Sequence, residues 1–273
     1  MSSSLHARSD LVDRLRAAGC VSAEDEAELL LTAVRDATEL AALTDRRVAG
    51  EPLEHILGWV EFCGLRVTVR PGVFVPRRRT ELLVRQAAAV LRPGAVVVDL
   101  CCGCGAVGAA LSGAVTGPGA GLDVYAADLD PVAVSCAEAN LASVGGQVYR
   151  GDLYRALPDT LRGRIDVLTA NAPYVPTGSI AFLPPEAREH EPRVALDGGP
   201  DGLAVLRRVI TEAPRWLAPG GHLLFETGAG QAVRAAAEVA ASGLVSRVVS
   251  DEELGATVII GTSPAPRVSR SGN

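Results

Sequence analysis

Hydrophobic and polar positions give the first part of the chain a helical periodicity. Leu11 and Leu15 share one helical face, and a second apolar run over residues 27–34 follows Ser22, which has an acidic residue three positions further on. This spacing is typical of amphipathic helices, the second with a capped start. The pattern therefore predicts helices over residues 10–48.

A break and a short strand follow the predicted helices. Gly50 and Pro52 interrupt the helical pattern, and residues 62–70 then alternate in part, as a strand does, before a Pro-Gly pair. We predict that residues 1–75 form a small, mostly helical N-terminal domain, of a size that suits the recognition of a substrate.

From about residue 75, short apolar segments alternate with helical ones. The predicted strands cover residues 95–99, 123–128, 147–152, 165–171, 221–226 and 256–260. Helical patterns at residues 105–114, 131–144, 202–217 and 229–241 separate most of them. This alternation indicates an α/β fold with a doubly wound, parallel sheet. We assign it to residues 76–262 and expect residues 263–273, which contain two prolines, to form a disordered tail.

Four of the predicted strands end in a polar side chain. These residues are Asp99, Asp128, Asp152 and Asn171. In doubly wound sheets, ligands bind beyond the carboxyl ends of the strands. The four residues therefore form a candidate binding site.

Composition narrows the function classes. The chain has 273 residues, 48% of them hydrophobic, and a formal net charge of −6 at pH 7. This charge disfavours a protein that holds nucleic acid through its phosphates. No apolar segment opens the chain, and the uncharged stretch over residues 100–122 contains many glycines and a proline. We therefore expect a cytoplasmic protein with no membrane partner.

The glycine-rich loop after the first strand of the sheet has two interpretations. Residues 103–108 match the pattern G-x-G-x-x-G, and Asp128 follows Gly108 by twenty residues. This spacing is typical of dinucleotide-binding dehydrogenases. The glycines could also serve only a tight turn and close helix packing.

Asp99 separates the two candidate cofactors. It lies at the base of a loop without arginine, where a carboxylate would repel the pyrophosphate of a dinucleotide. S-adenosylmethionine instead carries an ammonium and a sulfonium, which a carboxylate attracts. In this interpretation Asp128 binds the ribose and Asp152 with Leu153 borders the adenine.

The predicted cofactor residues are Asp99, Cys101, Cys102, Gly103, Cys104, Gly105, Asp128, Asp152, Leu153 and Asn171. The three cysteines among them could alternatively be metal ligands. That interpretation is disfavoured because no second Cys/His pair with ligand spacing accompanies them.

Asn171-Ala172-Pro173-Tyr174 ends the fourth predicted strand and indicates the reaction. A planar amide or aryl amine is a poor nucleophile, so a site that methylates its nitrogen must accept hydrogen bonds from both N–H groups. The Asn171 side-chain oxygen and the Ala172 carbonyl can do so. Pro173 fixes the backbone of Ala172, and Tyr174 is expected to supply a flat apolar wall. The segment could also be an ordinary turn after a strand.

Over nearly all of residues 50–231 the chain resembles the protein-(glutamine-N5) methyltransferases that modify bacterial peptide-chain release factors. The shared segments are Gly50-Glu-Pro-Leu53, Ile56-Leu-Gly58, Glu61-Phe62, Pro71-Gly-Val73, Pro76-Arg77, Thr80-Glu-Leu-Leu-Val84, Gly151-Asp152, Glu191-Pro192, Ala195-Leu-Asp-Gly-Gly199, Asp201-Gly-Leu203 and Leu217-Ala-Pro-Gly-Gly221. The resemblance implies a class I S-adenosylmethionine-dependent methyltransferase with a seven-stranded sheet, a small helical N-terminal domain and a hairpin linker. It also implies methylation of the glutamine in the Gly-Gly-Gln loop of a release factor, a protein of translation termination, with residues 171–174 as the catalytic motif.

Three positions depart from the pattern of this family. Ala172 replaces a proline, Arg79 replaces an acid, and Cys101 replaces a glycine. These changes suggest a divergent paralogue whose protein substrate has shifted. The alternatives are a nucleic-acid adenine methyltransferase, for which Arg77–Arg79 is the one basic cluster, and a cofactor-binding paralogue without catalysis.

Overall fold

The computed structural model describes residues 2–115 and 121–265, with side chains from Arg8 onward. Four helices open the chain: α1 (Ser2–Ala17), α2 (Ala23–Ala33), α3 (Ala37–Val48) and α4 (Leu53–Leu57). They enclose a small core of their own, in which Leu15, Ala27 and Leu30 are fully buried. The helices predicted over residues 10–48 are present.

The capping prediction at Ser22 is wrong. Ser22 precedes α2, but its side chain makes no capping hydrogen bond. The capped helix is α3, where the Asp36 carboxylate accepts the backbone N–H groups of Thr38 and Glu39, both at 2.9 Å. Asp36 thereby satisfies two of the donors that a helix start leaves unpaired.

The strand predicted over residues 62–70 is a hairpin instead. β1 (Trp59–Phe62) pairs antiparallel with β2 (Leu65–Thr68), and the chain reverses at Cys63 and Gly64, both with positive φ. Two consecutive residues of positive φ are what a tight hairpin turn requires. The hairpin is the linker that the family resemblance implied.

A seven-stranded sheet forms the body of the molecule. Its strands are β3 (Val96–Leu100), β4 (Asp123–Asp128), β5 (Gln147–Arg150), β6 (Ile165–Ala170), β7 (Leu217–Glu226), β8 (Val245–Asp251) and β9 (Ala256–Thr262). Their order is β5-β4-β3-β6-β7-β9-β8, and the first five are parallel. β9 runs antiparallel to both neighbours. The predicted fold class is thus confirmed.

Helices cover both faces of the sheet. The helices of this part of the chain are α5 (Glu81–Ala88), α6 (Ala106–Ser112), α7 (Pro131–Leu141), α8 (Pro185–His190), α9 (Arg193–Leu196), α10 (Ala204–Trp216) and α11 (Ala232–Ala241). Of these, α5, α6, α7, α10 and α11 pack against strands of the sheet. The pattern did not predict α5 or β8. β8 is an edge strand in which three of the seven residues are apolar, so its hydrophobic pattern is weak.

The hairpin belongs to the core of the sheet. Phe62 and Val67 pack in the same buried cluster as Val97 of β3 and Leu224 of β7, and the cluster continues through Val75. At the other end, strand pairing reaches Ser263, whose N–H donates to Gly221 at 2.8 Å. The predicted tail therefore starts inside the pairing, and its residues 266–273 lie outside the described part of the chain.

Within the described residues, no helix has both the length and the apolar character needed to cross a membrane. The uncharged stretch after β3 contributes a loop and α6 instead.

Candidate active site

One cavity of about 700 Å³ lies beyond the carboxyl ends of the parallel strands. Its volume is in the range of small-molecule sites, roughly 300–1,000 Å³. Asp99, Asp128, Asp152 and Asn171 all line it. The four strand ends singled out in the sequence therefore meet at one place, because β5, β4, β3 and β6 are neighbours in the sheet.

The loop after β3 forms the floor of the cavity. Cys101, Cys102, Gly103 and Cys104 line it, whereas Gly105 does not. Gly105 has a φ of 78°, and an added Cβ would lie 3.1 Å from Ala137 of α7. Its role is therefore the turn and the close approach to α7.

Cys101 occupies a conformation that favours glycine. Its φ is 55°, in the left-handed region, where a side chain other than glycine is strained. The family resemblance places a glycine at this position. The thiol is a neutral group, since burial, with a smaller contribution from Asp128, raises its pKa.

Asp99 is a buried carboxylate at the base of the loop. It accepts hydrogen bonds from the Thr169 hydroxyl at 2.9 Å and from the Gly108 N–H at 3.3 Å. Burial raises its pKa to about 7, against the opposing effect of these two donors. In the described part of the chain no cationic side chain contacts it, so the group is suited to a cation from a ligand.

Asp128, at the end of β4, is held by backbone donors. Its two oxygens accept the N–H groups of Gly103 at 2.9 Å and of Asp130 at 3.0 Å. Burial raises its pKa, and the negative charge of Asp130 adds to that effect while the backbone donors oppose it. These bonds fix the carboxylate beside the cavity.

Asp152 and Leu153 border the outer end of the cavity, next to β5. The Asp152 carboxylate accepts a hydrogen bond from the Arg208 guanidinium at 2.6 Å. Arg208 lies on α10 and also lines the cavity, although nothing in the sequence pattern had indicated it. Leu153 has a φ of 51°, so the backbone turns sharply there.

No group of three or more His, Cys, Asp or Glu residues with the spacing of a metal site occurs among the described residues. Burial also raises the pKa of the Cys102 and Cys104 thiols, which keeps them protonated. Among the described residues, these cysteines therefore do not belong to a cluster of side chains that could hold a metal ion.

The segment after β6 presents only part of its motif to the cavity. Asn171 and Pro173 line it, whereas Ala172 is buried and Tyr174 is not among the lining residues. The Tyr174 hydroxyl donates to the Glu226 carboxylate at 2.7 Å. Tyr174 is therefore not the apolar wall of the cavity that we expected. Its hydroxyl makes a hydrogen bond behind the cavity instead.

A second segment clamps this motif from behind. Gln231 donates its side-chain amide to the carbonyl oxygens of Tyr174 at 3.0 Å and Asp201 at 2.9 Å. Gly202 lies so close that an added Cβ would be 2.3 Å from the Tyr174 carbonyl oxygen. Val175 pairs with Asp197 in a parallel bridge. The motif is thereby fixed on the side away from β6.

The cluster Arg77–Arg79 is largely engaged within the molecule. Arg77 pairs with the buried Glu191 at 2.5 Å, and Arg79 pairs with the buried Glu226 at 2.9 Å. Only Arg78 of the three makes no ion pair with the described residues. The interpretation of this cluster as a nucleic-acid contact loses support, because two of its three charges are neutralised internally.

Two of the residues that the motifs missed had a signal in the sequence. Glu226 ends a strand of the sheet, as Asp99 and Asn171 do, and the same argument applies to it. Thr80 lies in a segment shared with the family. For Arg208, only the contact between α10 and Asp152, in the segment after β5, supplied the information.

A parallel sheet with this strand order, a glycine-containing loop over an acid and a polar residue at the next strand end define a class I S-adenosylmethionine-dependent methyltransferase. Residues 64–181 match the family model described as the methyltransferase small domain. The chain is 42% identical over 199 residues to a release factor glutamine methyltransferase of Geobacter sulfurreducens, a match that covers 71% of this chain and 68% of that protein. The chain belongs to the release factor glutamine methyltransferase family.

Two further similarities are to a methyltransferase of another substrate and to a solved structure. It is 38% identical to the 4-amino-L-phenylalanine/4-methylamino-L-phenylalanine methyltransferase of Streptomyces pristinaespiralis, over 75% of this chain and 70% of that one. Its fold is that of a methyltransferase from Pyrococcus furiosus, with a TM-score of 0.55, 16% identity, and coverage of 74% and 90%. The prediction of S-adenosylmethionine rather than a dinucleotide is confirmed, and the chain is an enzyme of this class.

Proposed function

We propose that the enzyme transfers a methyl group to the side-chain amide nitrogen of a glutamine in a peptide-chain release factor, in the cytoplasm. The observation that carries the proposal is the position of Asn171. Its side-chain NH₂ turns away to Thr80, with the Nδ2 and Oγ1 atoms 3.4 Å apart, and the residue lines the cavity. The carboxamide oxygen is then available to an N–H of the acceptor.

The cofactor fits the acidic lining of the cavity. Asp99 offers a buried carboxylate without a cationic partner among the described residues, and a bound S-adenosylmethionine supplies both an ammonium and an electrophilic methyl group. We assign the ribose hydroxyls to Asp128 and the adenine border to Asp152 and Leu153. The loop from Cys101 to Gly105 follows Asp99 along the chain and is tied to Asp128, whose carboxylate accepts the Gly103 N–H.

The acceptor amide gains reactivity from how it is held. The Asn171 oxygen accepts one of its N–H groups and aims the nitrogen, whereas Ala172, whose carbonyl was expected to accept the other, is buried outside the cavity lining. The nitrogen then bonds to the methyl carbon as the carbon–sulfur bond breaks, and it loses one proton to solvent. Aimed hydrogen-bond partners of this kind typically contribute about 10²–10³ in rate.

The N-terminal helices are proposed to select the partner protein. Arg47 of α3 pairs with Glu186 of α8 at 3.5 Å, so these helices contact the segment that follows the catalytic motif. That segment continues to Pro192 and Val194, which line the cavity. A glutamine on an exposed loop of the partner would enter the cavity between the N-terminal helices and this segment.

An aromatic amine is a second candidate acceptor. A relative acts on 4-amino-L-phenylalanine, by its name, and Phe62, Phe74 and Pro192 give part of the cavity an apolar lining. A small aromatic ring would be enclosed by these side chains.

One assay separates these acceptors. The enzyme and S-adenosylmethionine are incubated with a full-length release factor, with 4-aminophenylalanine and with an adenine-containing oligonucleotide, and each product is analysed by mass spectrometry. We expect one added methyl group on the glutamine of the Gly-Gly-Gln loop, and none when that glutamine is replaced by asparagine.

The variant Asn171→Ala tests the assignment of the motif. It should lower kcat by about 10²–10³ while the Kd for S-adenosylmethionine stays within a few fold, because the residue acts on the acceptor. Turnover within a few fold of the unmodified enzyme would show that Asn171 is not the acceptor-binding group.

A further inference from the structure

A buried carboxylate stands behind Asn171. Glu226 is the last residue of β7, which neighbours β6, and its side chain is 2% exposed. One oxygen accepts the Arg79 guanidinium at 2.9 Å and the Tyr174 hydroxyl at 2.7 Å. The other accepts the Thr80 hydroxyl at 2.7 Å. Its oxygens are thus occupied by donors from three residues.

The carboxylate sets the direction of the Thr80 proton. A carboxylate paired with a guanidinium only accepts hydrogen bonds, so the single hydroxyl proton of Thr80 points to Glu226. The Thr80 oxygen can then only accept a hydrogen bond from Asn171, through one of its lone pairs. The Nδ2 atom of Asn171 lies 3.4 Å from that oxygen, at the long end of the range for a hydrogen bond.

This direction decides which end of the Asn171 carboxamide faces the acceptor. The oxygen and the NH₂ group of an asparagine have nearly the same shape, so only their partners determine the orientation. In the reverse orientation the Asn171 oxygen would face the Thr80 oxygen without a proton between them. The NH₂ group would then point at the N–H groups of the substrate, donor against donor.

We propose that Glu226, acting through Thr80, is a positioning residue that holds the Asn171 oxygen toward the acceptor amide. This inference rests on the proposed role of Asn171 as the group that binds the acceptor. Glu226 itself contacts neither cofactor nor acceptor. Glu226 sets the direction of two successive hydrogen bonds. These bonds form a relay from Glu226 at the end of β7 through Thr80, just before α5, to Asn171 after β6.

The variant Glu226→Gln should invert the relay. Arg79 and Tyr174 are both donors, so the carbonyl of the new amide stays with them and its NH₂ group turns to Thr80. Thr80 then accepts from residue 226 and donates to Asn171, which turns its NH₂ group to the substrate. We expect kcat with the release factor to fall at least tenfold, with the Kd for S-adenosylmethionine unchanged within twofold.

A double variant distinguishes this relay from a purely structural tie. Aspartate at position 171 has two acceptor oxygens, so in Glu226→Gln/Asn171→Asp one oxygen accepts from Thr80 and the other still faces the acceptor. The double variant should therefore recover kcat relative to Glu226→Gln, although Asn171→Asp alone should be impaired. Its formal charge equals that of the unmodified enzyme.

Substitutions at Thr80 complete the test. Thr80→Val removes the relay at nearly constant volume and should lower kcat about tenfold, whereas Thr80→Ser should retain it. Thr257→Val is the matched control, because Thr257 is a buried threonine of β9 outside the cavity lining, and among the described residues its hydroxyl bonds only to that of Ser250 at 3.3 Å. It should leave kcat unchanged. Thermal unfolding and cofactor binding confirm that each variant is folded.

The outcomes separate this inference from the proposed function. If Asn171→Ala is inactive while Thr80→Val and Glu226→Gln keep kcat within twofold, the relay is refuted and the proposed function stands. If Asn171→Ala itself is active, the proposed role of Asn171 fails first. If Glu226→Gln unfolds the protein, the kcat ratio of Thr80→Val to Thr80→Ser decides, and a ratio near one overturns the proposal.

Discussion

At the scale of single residues, the site combines groups that are costly to the ligand-free protein. Asp99 is a carboxylate buried without a cation among the described residues, and Cys101 holds a left-handed backbone that glycine adopts more easily. Both lie in or beside the loop after β3. Features of this kind persist where function depends on them, and here they surround the cofactor site.

From the raised pKa of Asp99 we predict that cofactor binding depends on pH. Its pKa of about 7 in the ligand-free protein means that below this pH a proton must leave before the carboxylate can meet a cation. The Kd for S-adenosylmethionine should therefore rise by up to about tenfold per pH unit as the pH falls from 7 to 5. Calorimetry over this range checks the slope, and Asp99→Asn should bind more weakly and remove most of it. An equal slope in both proteins would assign the proton to another group.

The same residue predicts a change in stability. Between its ordinary pKa of 3.8 and about 7, the folded protein holds a proton that the unfolded chain has released, so stability falls as the pH rises through this window. Asparagine can accept from Gly108 and donate to Thr169 without carrying charge. Without cofactor, Asp99→Asn should therefore unfold at a higher temperature than the unmodified enzyme at pH 8, with a smaller difference at pH 4. A lower melting temperature at pH 8 would contradict this.

From the backbone conformation of Cys101 we predict the order of thermal stability among its variants. Because its φ is 55°, the left-handed conformation costs a residue other than glycine about 1–2 kcal/mol, and a β-branched residue more. Cys101→Gly should keep or slightly raise the melting temperature, since the lost strain offsets the greater freedom of glycine in the unfolded chain. Cys101→Val, which introduces a β-branched side chain, should lower it. Equal melting temperatures for the two variants would show that the backbone relaxes.

At the scale of elements, the segment after β6 that carries Asn171 is held by loops far away in the sequence. Gln231, just before α11, connects to both sides: its Oε1 accepts from Gly228 at 3.1 Å, and its Nε2 donates to the carbonyls of Tyr174 and Asp201. Each strand end contributes one residue, but the loops behind them fix the geometry. The link between the Tyr174 and Asp201 carbonyls therefore depends on the two N–H groups of the Gln231 amide.

Gln231 predicts an effect that depends on its amide. Gln231→Glu would place a carboxylate oxygen against two carbonyl oxygens, so it should destabilise the protein by about 1–3 kcal/mol and lower turnover more than cofactor binding. Gln147→Glu is the matched control, because Gln147 lies at the start of β5 and only accepts a bond from the Tyr149 hydroxyl, which a carboxylate also accepts. Chemical denaturation and steady-state kinetics measure both. Equal effects of the two variants would mean that the Gln231 donor bonds carry no weight.

At the scale of the whole molecule, the cores place the division between domains earlier than the sequence pattern did. Helices α1–α4 have their own buried cluster, but Phe62, Val67 and Val75 pack with the sheet. Phe62 and Pro76 also line the cavity. A truncation at residue 75 would therefore open the core of the sheet and damage the site, and a cut after α4 is the informative one.

Removal of residues 2–57 should separate recognition from chemistry. The truncated protein keeps the hairpin and the whole cavity, so it should bind S-adenosylmethionine with a Kd within a few fold of the full chain. Methylation of the intact release factor should fall at least tenfold, because the surface that we propose to contact the partner is lost. Circular dichroism establishes that the remainder is folded. If it methylates the intact partner as fast as the full chain, the N-terminal helices have no recognition role.

Much of this molecule follows from local signals in the sequence. The alternation of apolar strands and helices determined the sheet, because strands buried on both faces must be apolar throughout. Residues that end parallel strands had to share one edge, which brought Asp99, Asp128, Asp152 and Asn171 to one cavity. The sequence also identified the acid under the glycine loop and therefore the cofactor.

Only the tertiary structure decided what lies behind these residues. The partners Arg208 of Asp152, Gln231 of Tyr174 and Glu226 of Thr80 lie 56, 57 and 146 positions away along the chain. No spacing rule reaches across such distances, because the contacts depend on how loops and helices pack over the sheet. The direction of a hydrogen bond depends on its two partners and on the groups that these partners bind in turn, as Glu226 does for Thr80 and Asn171. The sequence thus determines which groups meet at the strand ends, and the packing determines how each of them is turned.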